Sequence, residues 1–600
     1  MRKVYGFFPI ITKFITIILF LYLPVSAAAA ESRVSGYVYD LSGKPLSQAL
    51  VSINTGNKHK GPDVVTVFTD GQGRFSFPQT VTEVANPDQS VSTRILGYEQ
   101  LRVDTDNNND GTILTVIMRR TTNYAGAAPA SAWLAKLNAA DKENLVNSCV
   151  GCHEVPAPEV RAYAKLIDNV DTPNKEDARK QSWTALIKYM NYISAEEFGR
   201  GTSSAPPDAN RVYAVGNGDE IASILYHNFT GPLQQLDHYD YGAPLAVTPD
   251  TVILEYEVPR PNAIREALMV GTPPKLWAAD VSSNRMYSID VTTGKQETYE
   301  VPTDMTMGPH SMFRAADGTL WITPFFSAVL AHLDPNKKTW QTWPLRSRSG
   351  KRVGIHDLSF GYQHELLTDD EGRIWFSDIG NDGVGYIDPK TGVIETYHAP
   401  EIAGRPGNQA ALYGLVMTSD RKHIWYTQQG IGCFGSFNIE TRKFGKPVVL
   451  PSINAGPRRL TISDKDIMYV ALYGAGQLIE YDTRAGKQIG IYDLPDRASA
   501  PYSATWDPLR KVVWIPTSNA DVVYRFDPGT RQFSVLPLPR AGAFLRMLDV
   551  EPKTGLLITS YANIVQNVHG PRMALIIDPG DRPIKKISKP FAKLLSAGKE

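Results

Sequence analysis

The chain has little sulfur chemistry to offer: three cysteines among 600 residues. That is too few for a disulfide framework, so any cysteine pair needs its own explanation. It has no excess charge of either sign, because Lys plus Arg and Asp plus Glu both count 62. Without a global field, nothing draws it to nucleic acid or an acidic membrane surface. Beyond residue 30 it has no apolar run near the ~20 residues that cross a bilayer, so no membrane span is expected once a leader is removed. What it does have suits several β-rich domains: ten tryptophans, 28 tyrosines and 47 glycines.

The first 30 residues read as a signal peptide. Arg2 and Lys3 open the chain, "FITIILFLYL" (14–23) is apolar, and "PVSAAAA" (24–30) supplies small residues for cleavage. An uncleaved anchor is the alternative. Either way the expected location is periplasmic or otherwise exported.

Residues 31–121 read as a small β-sandwich of short strands and turns, with "RVSGYVYD" (33–40) and "QALVSI" (48–53) alternating in polarity. The spacing of Gly36, Val38 and Asp40, then Gly43, Pro45 and Leu46, then Thr69, Asp70, Gly73 and Phe75, resembles the carboxypeptidase regulatory-like domain. The resemblance implies an accessory module. "DTDNNNDG" (104–111) has calcium-type oxygen ligands without the spacing of a calcium loop, and reads as a hairpin tip.

Residues 122–240 turn helical after the linker "YAGAAPASA" (124–132). Asp141 is the expected N-cap of a helix ending near "NSCVGCHEVPAP" (147–158), and further helices are expected at 182–193 and 218–229. Three chemistries use CxxC. Zinc requires four ligands, and no second pair lies in this segment. A thioredoxin-like pair belongs to a βαβ unit, which is absent. Covalent haem requires two thiols and an axial imidazole, and Cys149, Cys152 and His153 offer that set. The segment resembles single-haem cytochrome c domains, implying haem c with His153 as an iron ligand. Met190, after Trp183 and Ile187, is the expected second iron ligand. A plain core methionine and a His227 ligand remain open beside it.

From 250 to 583 the sequence repeats. Aromatic-centred strands recur at Trp277, Trp321, Trp375, Trp425, Tyr469, Trp514 and Leu557, spaced 44, 54, 50, 44, 45 and 43 residues apart. Seven units of this length predict a seven-bladed β-propeller. "VILEYEVP" starting at Val252 is expected to complete the seventh blade and close the ring. Cys433 reads as a buried small hydrophobe, and His59, His332 and His398 as surface histidines without a role. Residues 584–600 read as a basic, solvated tail.

The repeat resembles streptogramin B (virginiamycin B) lyase. That family is a seven-bladed propeller that opens a cyclic peptide by elimination with magnesium. Eleven residues before each blade position stand Glu266, His310, His364, Gly414, Arg458, Ser503 and Arg546. The resemblance makes His310 the substrate-holding residue, His364 the proton acceptor and Asp378 a magnesium ligand. Arg458 and Glu266 share the rim. The second metal carboxylate is replaced by Tyr362, and Glu365 is expected on the other face of its strand.

Taken together, the fold class is mainly β and multidomain: a small β-sandwich, an α-helical cytochrome c domain and a seven-bladed propeller. The expected function is an exported c-type cytochrome taking electrons from a redox partner protein or a small-molecule substrate at the propeller rim. The alternatives are a magnesium-dependent C–O lyase with an accessory haem domain, and a non-catalytic haem-bearing scaffold.

Overall fold

The computed structural model describes residues 33–56, 61–81, 84, 86–108, 111–151, 153–169, 172–199, 218–229, 236–259, 264–271, 273–302, 308–324, 329–344, 363–379, 382–405, 411–562, 572–581 and 594–595, with the side chains of 108, 191–199, 218, 324 and 344 left aside. The signal-peptide reading, His59, Cys152 and Tyr362 lie outside these residues. No described helix is long and apolar enough to cross a membrane.

The N-terminal module is built from β1 (Arg33–Asp40), β2 (Leu50–Asn54), β3 (Val64–Phe68), β4 (Arg74–Ser76), a short α1 (Pro87–Ser90), β5 (Val91–Arg94), β6 (Tyr98–Asn108) and β7 (Gly111–Arg120). Two sheets form, ordered β4-β1-β7-β6 and β5-β2-β3. Alternation puts Val34 and Val38 of β1 and Leu114, Val116 and Met118 of β7 into the shared interior. β6 and β7 pair antiparallel as far as Asn108 opposite Gly111, so the described part of the polar stretch 104–111 lies at the end of this strand pair.

The helical segment holds α2 (Ala139–Cys149), α3 (Pro158–Asp168), α4 (Lys175–Gly199) and α5 (Gly218–Asn228). The N-cap differs from expectation. Asn138 caps α2, its Oδ1 accepting the Asp141 amide at 2.9 Å, so Asp141 lies inside the first turn. Both residue types cap helices, and the turn begins one Asx residue earlier. Leu145 and Val146 of α2, Trp183 and Ile187 of α4, and Ile221, Ile224 and Leu225 of α5 share one apolar cluster. That cluster continues into the propeller through Tyr413, Tyr473, Tyr502 and Phe544.

Seven sheets, most of them four-stranded and all antiparallel among their own strands, form the propeller, and the aromatic or leucine marker of each is buried on its second strand. Closure follows the sequence expectation. β8 (Val252–Glu257) pairs antiparallel with Met573–Asp578, from Val252 with Asp578 to Glu257 with Met573. Its other edge is also taken, by β3, with Val64 opposite Glu255 and Val67 opposite Val252. Blade seven and one sheet of the N-terminal module are therefore a single seven-stranded sheet, β8 in its middle. No open edge remains on β8 to template aggregation. The basic tail departs in part from a solvated end: Leu594 and Leu595 are buried in the core shared by the sandwich and blade one.

Candidate functional site

The innermost strands carry a repeated irregularity that decides what faces the channel. In blade three Gln363 pairs with Asp378 and Leu366 with Phe376, so His364 and Glu365 together stand opposite Ser377. Equivalent register shifts set His310 and Ser311, Tyr413 and Gly414, Arg458 and Arg459, and Arg546 and Met547 against single partners. Each is a β-bulge, which re-aims side chains by inserting one residue. Three of them are held by a hydroxyl two residues after the blade tryptophan. Thr323, Ser377 and Thr427 accept the amides of Ser311, Glu365 and Gly414 at 3.0, 2.8 and 3.0 Å.

The bulge overturns the expectation for Glu365. Strict alternation would turn it away from His364, yet its carboxylate meets Arg459 Nε at 3.2 Å. Arg459 also ion-pairs with Glu266, and its Nη2 donates to Ser311 Oγ at 2.6 Å. Ser311 Oγ donates in turn to Glu266 Oε1 at 2.8 Å, and the Met312 amide to Glu266 Oε2 at 3.0 Å. Glu266, expected on the rim, thus sits in a buried ion-pair network.

His310 and His364 come together as the column reading requires, with ring centroids 4.9 Å apart. Both are buried rather than displayed on an open rim. Tyr413 lies on the far side of His364, at 3.7 Å between ring centroids. Burial pushes both imidazoles well below their ordinary value. For His364 the guanidinium of Arg459, His310, Arg546 and Arg458 add to the effect. Burial pushes the Glu365 carboxyl up to about 7 against the pull of Arg459. Tyr502 is driven the other way: burial would raise it, but Arg546, Arg458 and Arg459 hold the phenol below its usual value.

Arg458 stands over Tyr473 at 3.5 Å from guanidinium carbon to ring centroid and over Tyr502 at 5.1 Å. Arg546 donates to Tyr502 Oη at 3.2 Å. Tyr413 and Tyr502 are hydrogen-bonded through their hydroxyls. In blades four and six the channel-lining residues are thus Tyr413 and Tyr502, one before the expected Gly414 and Ser503.

The cysteine segment is seated on this cluster. Arg546 Nη2 donates to the Gly151 carbonyl at 2.6 Å, and Tyr473 Oη donates to the Val150 carbonyl. Asn519, in blade six, clamps the next turn: its Oδ1 accepts the Val155 amide at 2.7 Å and its Nδ2 donates to the Val155 carbonyl at 3.0 Å. Gly456, at φ 61°, makes room for the end of α2. A Cβ there would lie 2.6 Å from Asn147 Oδ1. Sequence patterning could not place the helical segment here, because these contacts join residues over 300 positions apart.

Of the residues that covalent haem would require, Cys149, His153 and Met190 are described and Cys152 is not. Cys149 ends α2, half-buried beside the apolar cluster. His153 Nδ1 lies 2.6 Å from the Glu154 carbonyl, an arrangement that protonates Nδ1 and leaves the lone pair on Nε2 for a metal. Met190 lies one turn beyond buried Ile187 on the Trp183 face of α4 and is itself half-buried. His227 is exposed, opposite the buried face of α5, with its ring against Tyr226.

The fit to magnesium is poor. Asp378 is buried at the end of its strand; burial, with a small addition from the Asp378 charge, pushes the nearby Asp382 carboxyl up to about 6. Among the described residues no three His, Cys, Asp or Glu gather as a cation site. Cys433 is buried, its Sγ donating to Gln428 Oε1 at 2.8 Å. His332 is half-buried against Trp321 rather than on the surface, and His398 is exposed.

No family model matches the chain, and no curated protein does. Among solved structures, virginiamycin B lyase from Staphylococcus aureus aligns at 15% identity and TM-score 0.45, covering 55% of this chain and 99% of that one. A streptogramin B lyase aligns at 17% identity and TM-score 0.44, covering 55% and 97%. The WD40 repeats of RRP9 align almost as well, at 12% identity and TM-score 0.43, covering 56% and 98%.

Proposed function

We propose that the chain is an exported c-type cytochrome whose haem segment is built onto the channel mouth of a lyase-like propeller, for electron transfer from a partner or a channel-bound ligand. The observation that carries this reading is the seating of Val150 and Gly151, inside the CxxCH motif, on Tyr473 and Arg546 of the channel. Cys149 and Cys152 would hold the haem covalently, with His153 and Met190 as the iron ligands. Haem bound there supplies one-electron redox chemistry. The chain's own residues do the rest. The Glu154 carbonyl orients His153, the clamp from Asn519 fixes the loop, and the tyrosines fill the space between loop and histidine pair. His227 is the weaker ligand candidate, since it points to solvent.

A magnesium-dependent lyase is the second reading, favoured by the contact between His310 and His364. Elimination requires a base whose pKa lies near the working pH. An imidazole pushed well below its ordinary value is a poor one, and among the described residues the carboxylates do not gather for a metal. A non-catalytic haem scaffold leaves the histidine column without a purpose.

The test is a visible spectrum and a denaturing haem stain on full-length protein made with haem-attachment machinery. One haem per chain should survive denaturation and be lost when Cys149 and Cys152 are both changed to Ala. Any sulfur-to-iron band should vanish in Met190→Ala. Haem that washes out on denaturation would refute the assignment, and brisk magnesium-dependent opening of a cyclic depsipeptide would favour the lyase.

A further inference from the structure

Arg458 and Arg459 are neighbours in one bulge, yet they are treated differently. Arg459 takes both nearby carboxylates, Glu266 and Glu365. Arg458 is 4% exposed, its Nε is buried without a hydrogen-bond acceptor, and among the described residues no carboxylate ion-pairs with its guanidinium. Its faces are covered by Tyr473 and Tyr502. Rings over a guanidinium attract its charge but accept none of its in-plane N–H donors. Buried charge without a partner is costly, and buried polar groups without hydrogen bonds are rare in proteins.

A second group points the same way. His364 is 3% exposed, and among the described residues neither ring nitrogen has a hydrogen-bond partner. The preceding Gln363 is buried with both side-chain amide atoms unpartnered among the described residues. Arg458, Arg459 and Arg546 all lie close enough to depress the His364 imidazole, while Glu266 and Glu365 are both committed to Arg459. Water could satisfy donors there, but it could not balance the surplus positive charge.

We propose that the channel beneath the cysteine segment binds a small oxyanion, the carboxylate or phosphate group of its ligand, gripped edge-on by the Arg458 fork with a His364 ring N–H as a further donor. A planar guanidinium matches either oxyanion with paired N–H donors, as an ammonium does not. The inference deepens the proposed function by naming the chemistry of the ligand that the haem segment covers, and it rests on that reading for the ligand's purpose only.

The experiment is a thermal melt of the full-length, haem-loaded protein at fixed pH and ionic strength. Chloride is the reference, and inorganic phosphate and acetate are the two probes. At least one probe should raise Tm saturably, since a ligand that binds only the folded state stabilises it by mass action. A rise with phosphate alone assigns a phosphate group, and a rise with acetate alone a carboxylate. In Arg458→Gln the rise should disappear, and the variant should melt above wild type in chloride because an uncompensated buried charge has gone. Arg458→Lys keeps the charge without the fork and should show at least a tenfold weaker midpoint, which serves if the Gln variant folds poorly. The absence of a saturable rise in wild type, or a rise that Arg458→Gln retains in full, would overturn the proposal. A haem stain on the same sample separates the two claims: no covalent haem defeats the cytochrome reading and leaves the anion titration standing.

Discussion

His364 shows what one bulge does to one side chain. It is pressed between His310 and Tyr413 with three guanidiniums nearby, so the folded protein keeps it neutral to well below the unfolded value of about 6.5. Below that pH the unfolded chain takes up a proton that the folded chain refuses, so the group costs stability as pH falls. Glu365 has the opposite sign. Its carboxyl, pushed up to about 7, contributes stability that is present below about 4.5 and lost as pH rises through 7. Denaturant melts of wild type and His364→Asn isolate the histidine. The stability gap between them should shift in the variant's favour by up to ~1.4 kcal/mol per pH unit on falling below 6.5. A gap independent of pH would contradict the assignment. Residue by residue, the column of seven was legible because the blades repeat. Its neighbours Glu365, Arg459, Tyr413 and Tyr502 were not, because alternation assumes an unbroken strand. The signal that could have found the bulge was present: a hydroxyl residue two after the tryptophan in blades two, three and four.

At the scale of elements, the aromatic-centred strands and the closing strand β8 could be read directly, since each rests on local pattern. The pairing of β8 with β3 could not, because it joins strands nearly 190 residues apart that are both good edges in isolation. The cap of α2 was misplaced by three residues for a smaller reason, two capping residues standing close together. The clamp from blade six onto the turn after α2 was also invisible in sequence. Asn519→Ala would leave the Val155 amide and carbonyl buried without partners, at a cost of about 1–3 kcal/mol for each group that water cannot reach. The loss should be local. Limited proteolysis should cut the helical segment, residues 122–240, sooner in the variant while the propeller persists. Equal protection of that segment would show that the clamp does not hold it.

At the scale of the molecule, three modules share cores and a sheet rather than hanging on linkers. The sandwich extends blade seven, and the helical segment completes an apolar cluster with Tyr413, Tyr473 and Tyr502. Composition and motif fixed the order of modules along the chain but carried no information about how they dock. Docking is what brings the CxxCH segment and the histidine column to the same end of the propeller channel. That unity is tested most directly by the midpoint potential of the haem in wild type and Arg546→Gln. Arg546 donates to Gly151 inside the motif, so its positive charge would favour the reduced, less positive state of a haem iron held there. Removing it should lower the potential by an amount on the order of tens of millivolts, at the Coulomb energy of a partly screened pair. The exposed Arg102→Gln in the sandwich should leave the potential where it was. A potential unchanged in Arg546→Gln would mean that the haem segment does not sit on the propeller channel.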